Sequence, residues 1–219
     1  MMITSSRLNL VLLAAMACPI VLLAQQDVNA PQGKFTASTD VGAALHGATT
    51  YDAPTGTYRI AGSGADMWGA ADAFHFSWLQ LAGDAALTAD VHFPAEVTGP
   101  LEKAVLIMRQ SLAPGSPYAD TAIHADGHIT LQYRIAPDGK TDDVTSTEHK
   151  SVRLRIERKG NVFTAYNSTA DGKMTPFASI AIPMSGPIYI GLGVCSHAPG
   201  QLATVMFSSV TIERPAAAR

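Results

Sequence analysis

The residues with the most chemical potential gather in "GSGADMWGAADAFHFSW", residues 62–78. Two carboxylates (Asp66, Asp72), one imidazole (His75) and two indoles (Trp68, Trp78) stand there among glycines and alanines. A phosphate-binding loop is excluded. Gly62, Gly64 and Gly69 do not match G-x-G-x-x-G, no Lys-Ser/Thr follows, and the segment leads into a strand pattern rather than a helix. Calcium would need several hard oxygen ligands. Asp66 and Asp72 with backbone carbonyls could contribute, but no D-x-D-x-D-G spacing is present, so turn capping is the preferred reading and no metal or cofactor is expected.

Other catalytic patterns fare no better. Retaining glycoside hydrolysis needs two carboxyl groups about 5 Å apart, commonly an E-x-D-x-E strand on lectin-like sandwiches. Asp142 and Asp143 alternate to opposite faces instead, and Glu157 stands among arginines in "RLRIERK", which reads as a salt-bridged solvated face. No G-x-S-x-G elbow occurs. Cys195 and His197, two apart on one strand, invite a thiol-catalysis reading, but a small cysteine filling a sheet position is the simpler one. What remains is a set suited to sugars, whose C–H faces meet aromatic rings and whose hydroxyls meet planar polar groups. That set is Asp66, Trp68, Asp72, His75, Arg109, Gln132, Arg134 and His197, the ligand-binding candidates; no catalytic residue is assigned.

These side chains are carried by strands. Alternating segments at 34–39, 57–62, 73–81, 87–93, 103–111, 119–125, 128–136, 151–159, 161–168, 177–182, 188–197 and 203–213 are separated by "GDAA", "ADGH", "PDGK", "RKGN", "ADGK" and "MSGP". Gly, Asp and Asn supply the positive-φ positions of tight hairpins. No long segment has helical periodicity. About a dozen antiparallel strands predict an all-β, two-sheet jelly-roll sandwich. Alternation places Phe74, Phe76 and Trp78 on one face of their strand and His75 and Ser77 on the other. The apolar sets are expected to fill one core between the sheets, and the polar sets to face solvent or a ligand. In 105–109, Val105, Ile107 and Arg109 oppose Leu106 and Met108, so that strand is apolar on both faces until Arg109.

Composition supports a packed domain: 219 residues, 47% hydrophobic and 15% charged, with 18 Gly and 13 Pro. Arg7 followed by an apolar run to Ala24 predicts a signal peptide at 1–24, cut in "VLLAQQD". An uncleaved anchor is the rival reading, and lipidation at Cys18 a weaker one. A linker at 25–33, the sandwich at 34–213 and a tail at 214–219 follow. Without Arg7 the exported chain carries 14 basic and 18 acidic residues, which argues against nucleic acid and anionic membranes as partners. Only Cys195 remains after cleavage, so no internal disulfide is expected.

"GTYRIAGSGADMWGAADAFHFSW", "KAVLIMRQSL", "SPYADTAIHADG", "LQYR", "RLRIERKGN" and "IYIGLGVCSH" resemble, in that order, the concanavalin A-like domain of bacterial exported proteins. That domain is often found C-terminal to TolB-like (PD40) propellers. The resemblance covers about residues 34–213 and implies a lectin/glucanase-type jelly roll. It carries over no catalytic residues, and the transport label given to such proteins belongs to the propeller. The expected function is a periplasmic or secreted non-catalytic module for a glycan or envelope polysaccharide. The alternatives are a sugar-active enzyme using Arg109, His75 and His197, and a domain that docks onto an envelope protein.

Overall fold

The computed structural model describes residues 33–214. The expected signal peptide lies outside the described residues, as do the linker and tail apart from Gly33 and Arg214. Every element among the described residues is a strand. In chain order they are β1 (Ala37–Val41), β2 (Ala48–Asp52), β3 (Thr57–Gly62), β4 (Met67–Trp68), β5 (Ala71–Asp72), β6 (Phe74–Leu81), β7 (Ala85–His92) and β8 (Lys103–Arg109). They continue with β9 (Tyr118–His124), β10 (Ile129–Arg134), β11 (Asp142–Thr145), β12 (Arg153–Lys159), β13 (Val162–Ser168), β14 (Met174–Ala181), β15 (Ile188–Cys195) and β16 (Ala203–Glu213).

Two seven-stranded antiparallel sheets form the sandwich. The first runs β1-β6-β15-β8-β9-β10-β11 and the second β14-β13-β12-β7-β16-β3-β2. A two-stranded hairpin, β4-β5, stands apart from both. Turn chemistry fits the expectation: Gly127, Gly160 and Gly172 all take positive φ, and Asp138 joins them at 56°. Between the sheets lies one continuous core. Leu106 and Met108 of β8, Ile129 and Leu131 of β10, and Ile190, Leu192 and Val194 of β15 meet Leu87 and Ala89 of β7, Ile156 of β12 and Val205 and Phe207 of β16.

The first sheet is buried on its other face as well. A second apolar cluster joins Val41, Phe74, Phe76, Val105, Ile107, Tyr118, Ala122 and Cys195 to Met67 of the hairpin. Segment 63–73 therefore lies across the outer face of this sheet, with Met67 as its apolar plug. A sheet covered on both faces needs apolar residues at both parities, which is why β8 reads as a continuous apolar run.

This corrects the facing of β6. Phe74 and Phe76 belong to the outer cluster, with Trp78 packed beside them, while Leu79 and Leu81 point into the core between the sheets. His75 and Ser77 share parity with Leu79 and Leu81, so they turn inward, not to solvent or ligand. His75 is 2% exposed, its Nδ1 2.6 Å from Asp40 Oδ1 and its Nε2 3.2 Å from Thr49 Oγ1. Ser77 donates to the same Thr49 hydroxyl. Thr49 lies on β2 of the second sheet, so these polar groups join the two sheets at their β1–β2 edges.

Candidate functional site

The outer face of the first sheet is built by register. Lys103 pairs with His124 and Ile107 with Asp120 across β8–β9; Thr130 pairs with Ala122 and Gln132 with Asp120 across β9–β10. Strand alternation then sets Lys103, Val105, Ile107 and Arg109 on one face with His124, Ala122, Asp120 and Tyr118, and with Thr130, Gln132 and Arg134. The hairpin crosses this face. Its base is drawn tight at Gly64, where an added Cβ would collide with the Ala73 carbonyl oxygen, and Ala73 donates its N–H to Asp66 O.

Two ionic anchors hold the segment down. Asp72 accepts from Nη1 and Nη2 of Arg134 at 3.0 and 2.7 Å and from Nη2 of Arg109 at 3.2 Å. Arg134 also donates to the carbonyls of Gly69, Pro114, Ser116 and Gly139 and to Thr141 Oγ1. A planar fork with five N–H groups suits such a ring of acceptors, which a lysine could not serve. Each guanidinium also lies over an aromatic ring, Arg109 over Phe74 at 5.2 Å and Arg134 over Tyr118 at 5.1 Å. Burial lifts the Asp72 carboxyl, with the Arg134 hydrogen bonds and the Arg109 charge opposing the lift. Burial also pulls Arg109 down to about 10.

The second anchor is Asp66. Its Oδ1 lies 3.0 Å from Lys103 Nζ and 2.9 Å from His197 Nε2, and it accepts the Met67 N–H at 2.6 Å. Partial burial acts to raise this carboxyl, but the His197 hydrogen bond and Lys103 outweigh it and hold it at about 2. His197 reaches Asp66 from a left-handed backbone conformation (φ 55°), a cost that its contact offsets. Lys103 continues to Gln132 Oε1 at 3.1 Å. Beside them Asp120 is fully buried and pushed up to about 8 by desolvation, Lys103 opposing. Burial and then Lys103 press His124 down to about 4, so its ring is neutral.

The structure thus brings seven of the eight sequence candidates to one face, and sends His75 into the sandwich. Their environment differs from the expected open groove. Arg109 and Arg134 are 0% exposed and Asp72 is buried between them, so these three pin the hairpin. Gln132 is buried too, while Asp66 and His197 are partly exposed and Trp68, on β4, is 40% exposed. Asp66 and Asp72 are bound to cations; among the described residues no group of three or more His, Cys, Asp or Glu side chains is placed to hold a metal ion. Cys195 is buried and its thiol pushed up to about 11, with Sγ 3.5 Å from the Gly64 carbonyl. It fills the sheet rather than offering a thiolate.

Lys103, Asp120 and His124 escape a reading based on exposed polar residues. Their signal was parity: Lys103 is in phase with Arg109, and Asp120 and His124 with Tyr118.

No family model and no curated protein matches the sequence. Solved structures do match the fold. A Saccharomyces cerevisiae protein of unknown function aligns over 81% of this chain and all of its own, with TM-score 0.60 and 18% identity. The carbohydrate-binding module CBM66 from Bacillus subtilis aligns over 83% of this chain and 98% of its own, with TM-score 0.55 and 16% identity. The GH43 protein BlXynB from Bacillus licheniformis aligns over 72% of this chain but 32% of its own, with TM-score 0.51 and 12% identity. The chain has an all-β, two-sheet jelly-roll sandwich fold.

Proposed function

We propose that this protein is an exported, non-catalytic carbohydrate-binding module whose ligand meets the outer face of the first sheet beside the hairpin. The observation that carries the reading is the hairpin margin itself. There Trp68 of the hairpin is exposed, and Asp66 and His197 at the hairpin's start are partly exposed, which offers an aromatic face and charged hydrogen-bonding groups on one margin. Such a pairing suits a sugar, which presents apolar and hydroxyl surfaces together. The fold it shares with CBM66 supports the same reading, as does the resemblance to exported lectin-like domains. Export rests on the apolar N-terminal segment, and a propeller-bearing neighbour in the envelope belongs to the same proposal.

An enzyme acting on sugars is the weaker reading. Asp72 is committed to two guanidiniums and Asp120 is fully buried, so neither is available as one of the two carboxyl groups that flank a scissile bond.

A glycan array with thermal-shift confirmation tests the proposal, using the parent beside Trp68→Ala and His197→Ala, both at side chains that solvent reaches. Binding of a defined sugar that both variants weaken at least tenfold is the expected result. Binding that neither variant alters would remove this face from the account. Arg109→Ala is unsuitable as a binding probe, because Arg109 anchors the hairpin.

A further inference from the structure

Away from the hairpin, a cleft of 290 Å³ opens between the β7–β8 connection and the start of β16. Its rim stands in solvent, with Glu96, Val97, Gln201 and Leu202 all exposed. Its floor is Glu102, which lines the cleft while only 1% exposed. Glu102 directly precedes β8 and shares the parity of Ala104 and Leu106, so it turns to the inner side of the first sheet, at the end of the core. The turn that carries it is fixed by its own N–H to Gly99 O and by the Ala125 N–H to its carbonyl.

The Glu102 carboxylate has only part of the company that a buried charge needs. Oε2 accepts from the Thr98 N–H at 2.8 Å and faces the Thr98 hydroxyl at 3.1 Å. That hydroxyl has one proton and a nearer acceptor, the Ser196 carbonyl at 2.9 Å. Oε1 is buried and has no partner among the described residues. No Lys, Arg or His among the described residues lines the cleft. Burial pushes the Glu102 carboxyl up, and only the Thr98 groups oppose the rise. A carboxylate taken out of water calls for an opposing charge or a full set of donors. Here both are short, and Glu96 at the rim adds a second negative charge.

The missing complement is a cationic N–H donor. A hydroxyl would fill Oε1 without offsetting the charge. A guanidinium presents a fork that asks for both carboxylate oxygens, and Oε2 is already engaged. No three metal-binding side chains gather among the described residues, which leaves a metal ion without its ligands. A compact ammonium fits the single open oxygen. Val97 and Leu202 flank the opening with apolar surface, which suits a short hydrocarbon chain behind the charged head.

We infer that this cleft binds a primary alkylamine, its ammonium on Glu102 Oε1, with Glu96 adding attraction at the rim and Val97 and Leu202 packing on the chain. The site is separate from the hairpin margin and does not depend on the glycan-binding reading.

Calorimetric titration with n-butylamine at pH 7, where an alkylamine is protonated, tests the inference. One equivalent should bind saturably. Its comparators are n-butanol, which lacks the charge, and tetramethylammonium, which lacks the N–H donors; both should bind at least tenfold more weakly. Glu102→Gln keeps an oxygen for the Thr98 N–H and removes the buried charge. It should melt at or above the parent temperature and lose at least tenfold in affinity for butylamine. Glu96→Gln, at an exposed position, should weaken binding about threefold. No saturable binding of butylamine would overturn the inference, as would butanol or tetramethylammonium binding as tightly. Affinity unchanged in both variants would place the amine elsewhere and overturn the assignment.

Discussion

The two outer faces of this sandwich are made from the same kinds of residue and do opposite things with them. On the second sheet, Arg153 pairs with Asp90, and Arg155 with Glu157 and Glu213, beside Tyr166. Arg153, Arg155, Glu157, Glu213 and Tyr166 line an open groove of 510 Å³. On the first sheet, Arg109, Arg134, Lys103, Asp66, Asp72 and Asp120 meet beneath and beside the hairpin, most of them buried. Solvent screening makes ion pairs of the first kind worth little, about 0–1 kcal/mol each. Desolvation makes those of the second kind costly to break, because the surviving partner stays buried and uncompensated. Charge content alone does not tell the faces apart; a covering segment does.

The largest expected effect follows from that contrast. Asp72→Ala leaves two buried guanidiniums without their carboxylate and should cost about 3–5 kcal/mol, read by urea denaturation. Arg153→Ala, on the open face, should cost about 1 kcal/mol or less and less again in high salt. Equal costs at the two positions would erase the distinction. Met67→Ala should come next, about 2–5 kcal/mol, through loss of a fully buried side chain that plugs the second apolar cluster.

A pH series sharpens the comparison further. Asp120 has its native pKa raised from 3.8 to about 8, so the native state keeps the proton while the unfolded chain releases it. Its effect on stability is therefore most favourable below about pH 4 and is lost progressively as the pH rises towards 8. Asp120→Asn removes that loss, so its melting temperature should gain on the parent's between pH 4 and 8. A constant offset across that range would contradict a buried, protonated carboxyl. His124, lowered to about 4, acts in the other direction, favouring the native state above its ordinary value of 6.5 and losing that contribution as the pH falls towards 4. Glu213→Gln, on the open face, should change the melting temperature least of all.

Much of this molecule was legible in its sequence. The regular alternation in "HITLQYRIA" and "RLRIERK" set both the strands and the faces of β10 and β12 correctly. β2, β4, β5 and β11 were missed because they are short, and because "DDVT" carries no apolar face to alternate. The facing of β6 was misread for an instructive reason. Phe74, Phe76 and Trp78 are the more conspicuous set, but Leu79 and Leu81 decide the parity, since an outer face can also be apolar once a hairpin covers it. That cover came from a Gly/Ala-rich stretch with no period of its own. Nothing in its composition announces that Asp72 will meet Arg109 and Arg134, which lie 37 and 62 residues away along the chain. The residues of the candidate site were therefore mostly nameable, whereas their division into anchors and ligand-facing groups required the fold.

An amide chemical-shift titration with a saccharide that the array identifies distinguishes the two faces as binding surfaces. Shifts are expected to concentrate at Asp66–Trp68 and His197, with the Arg153–Lys159 and Tyr166 resonances unmoved. Shifts centred on Arg155 and Tyr166, with the hairpin margin silent, would place the ligand on the open face of the second sheet and contradict the central claim.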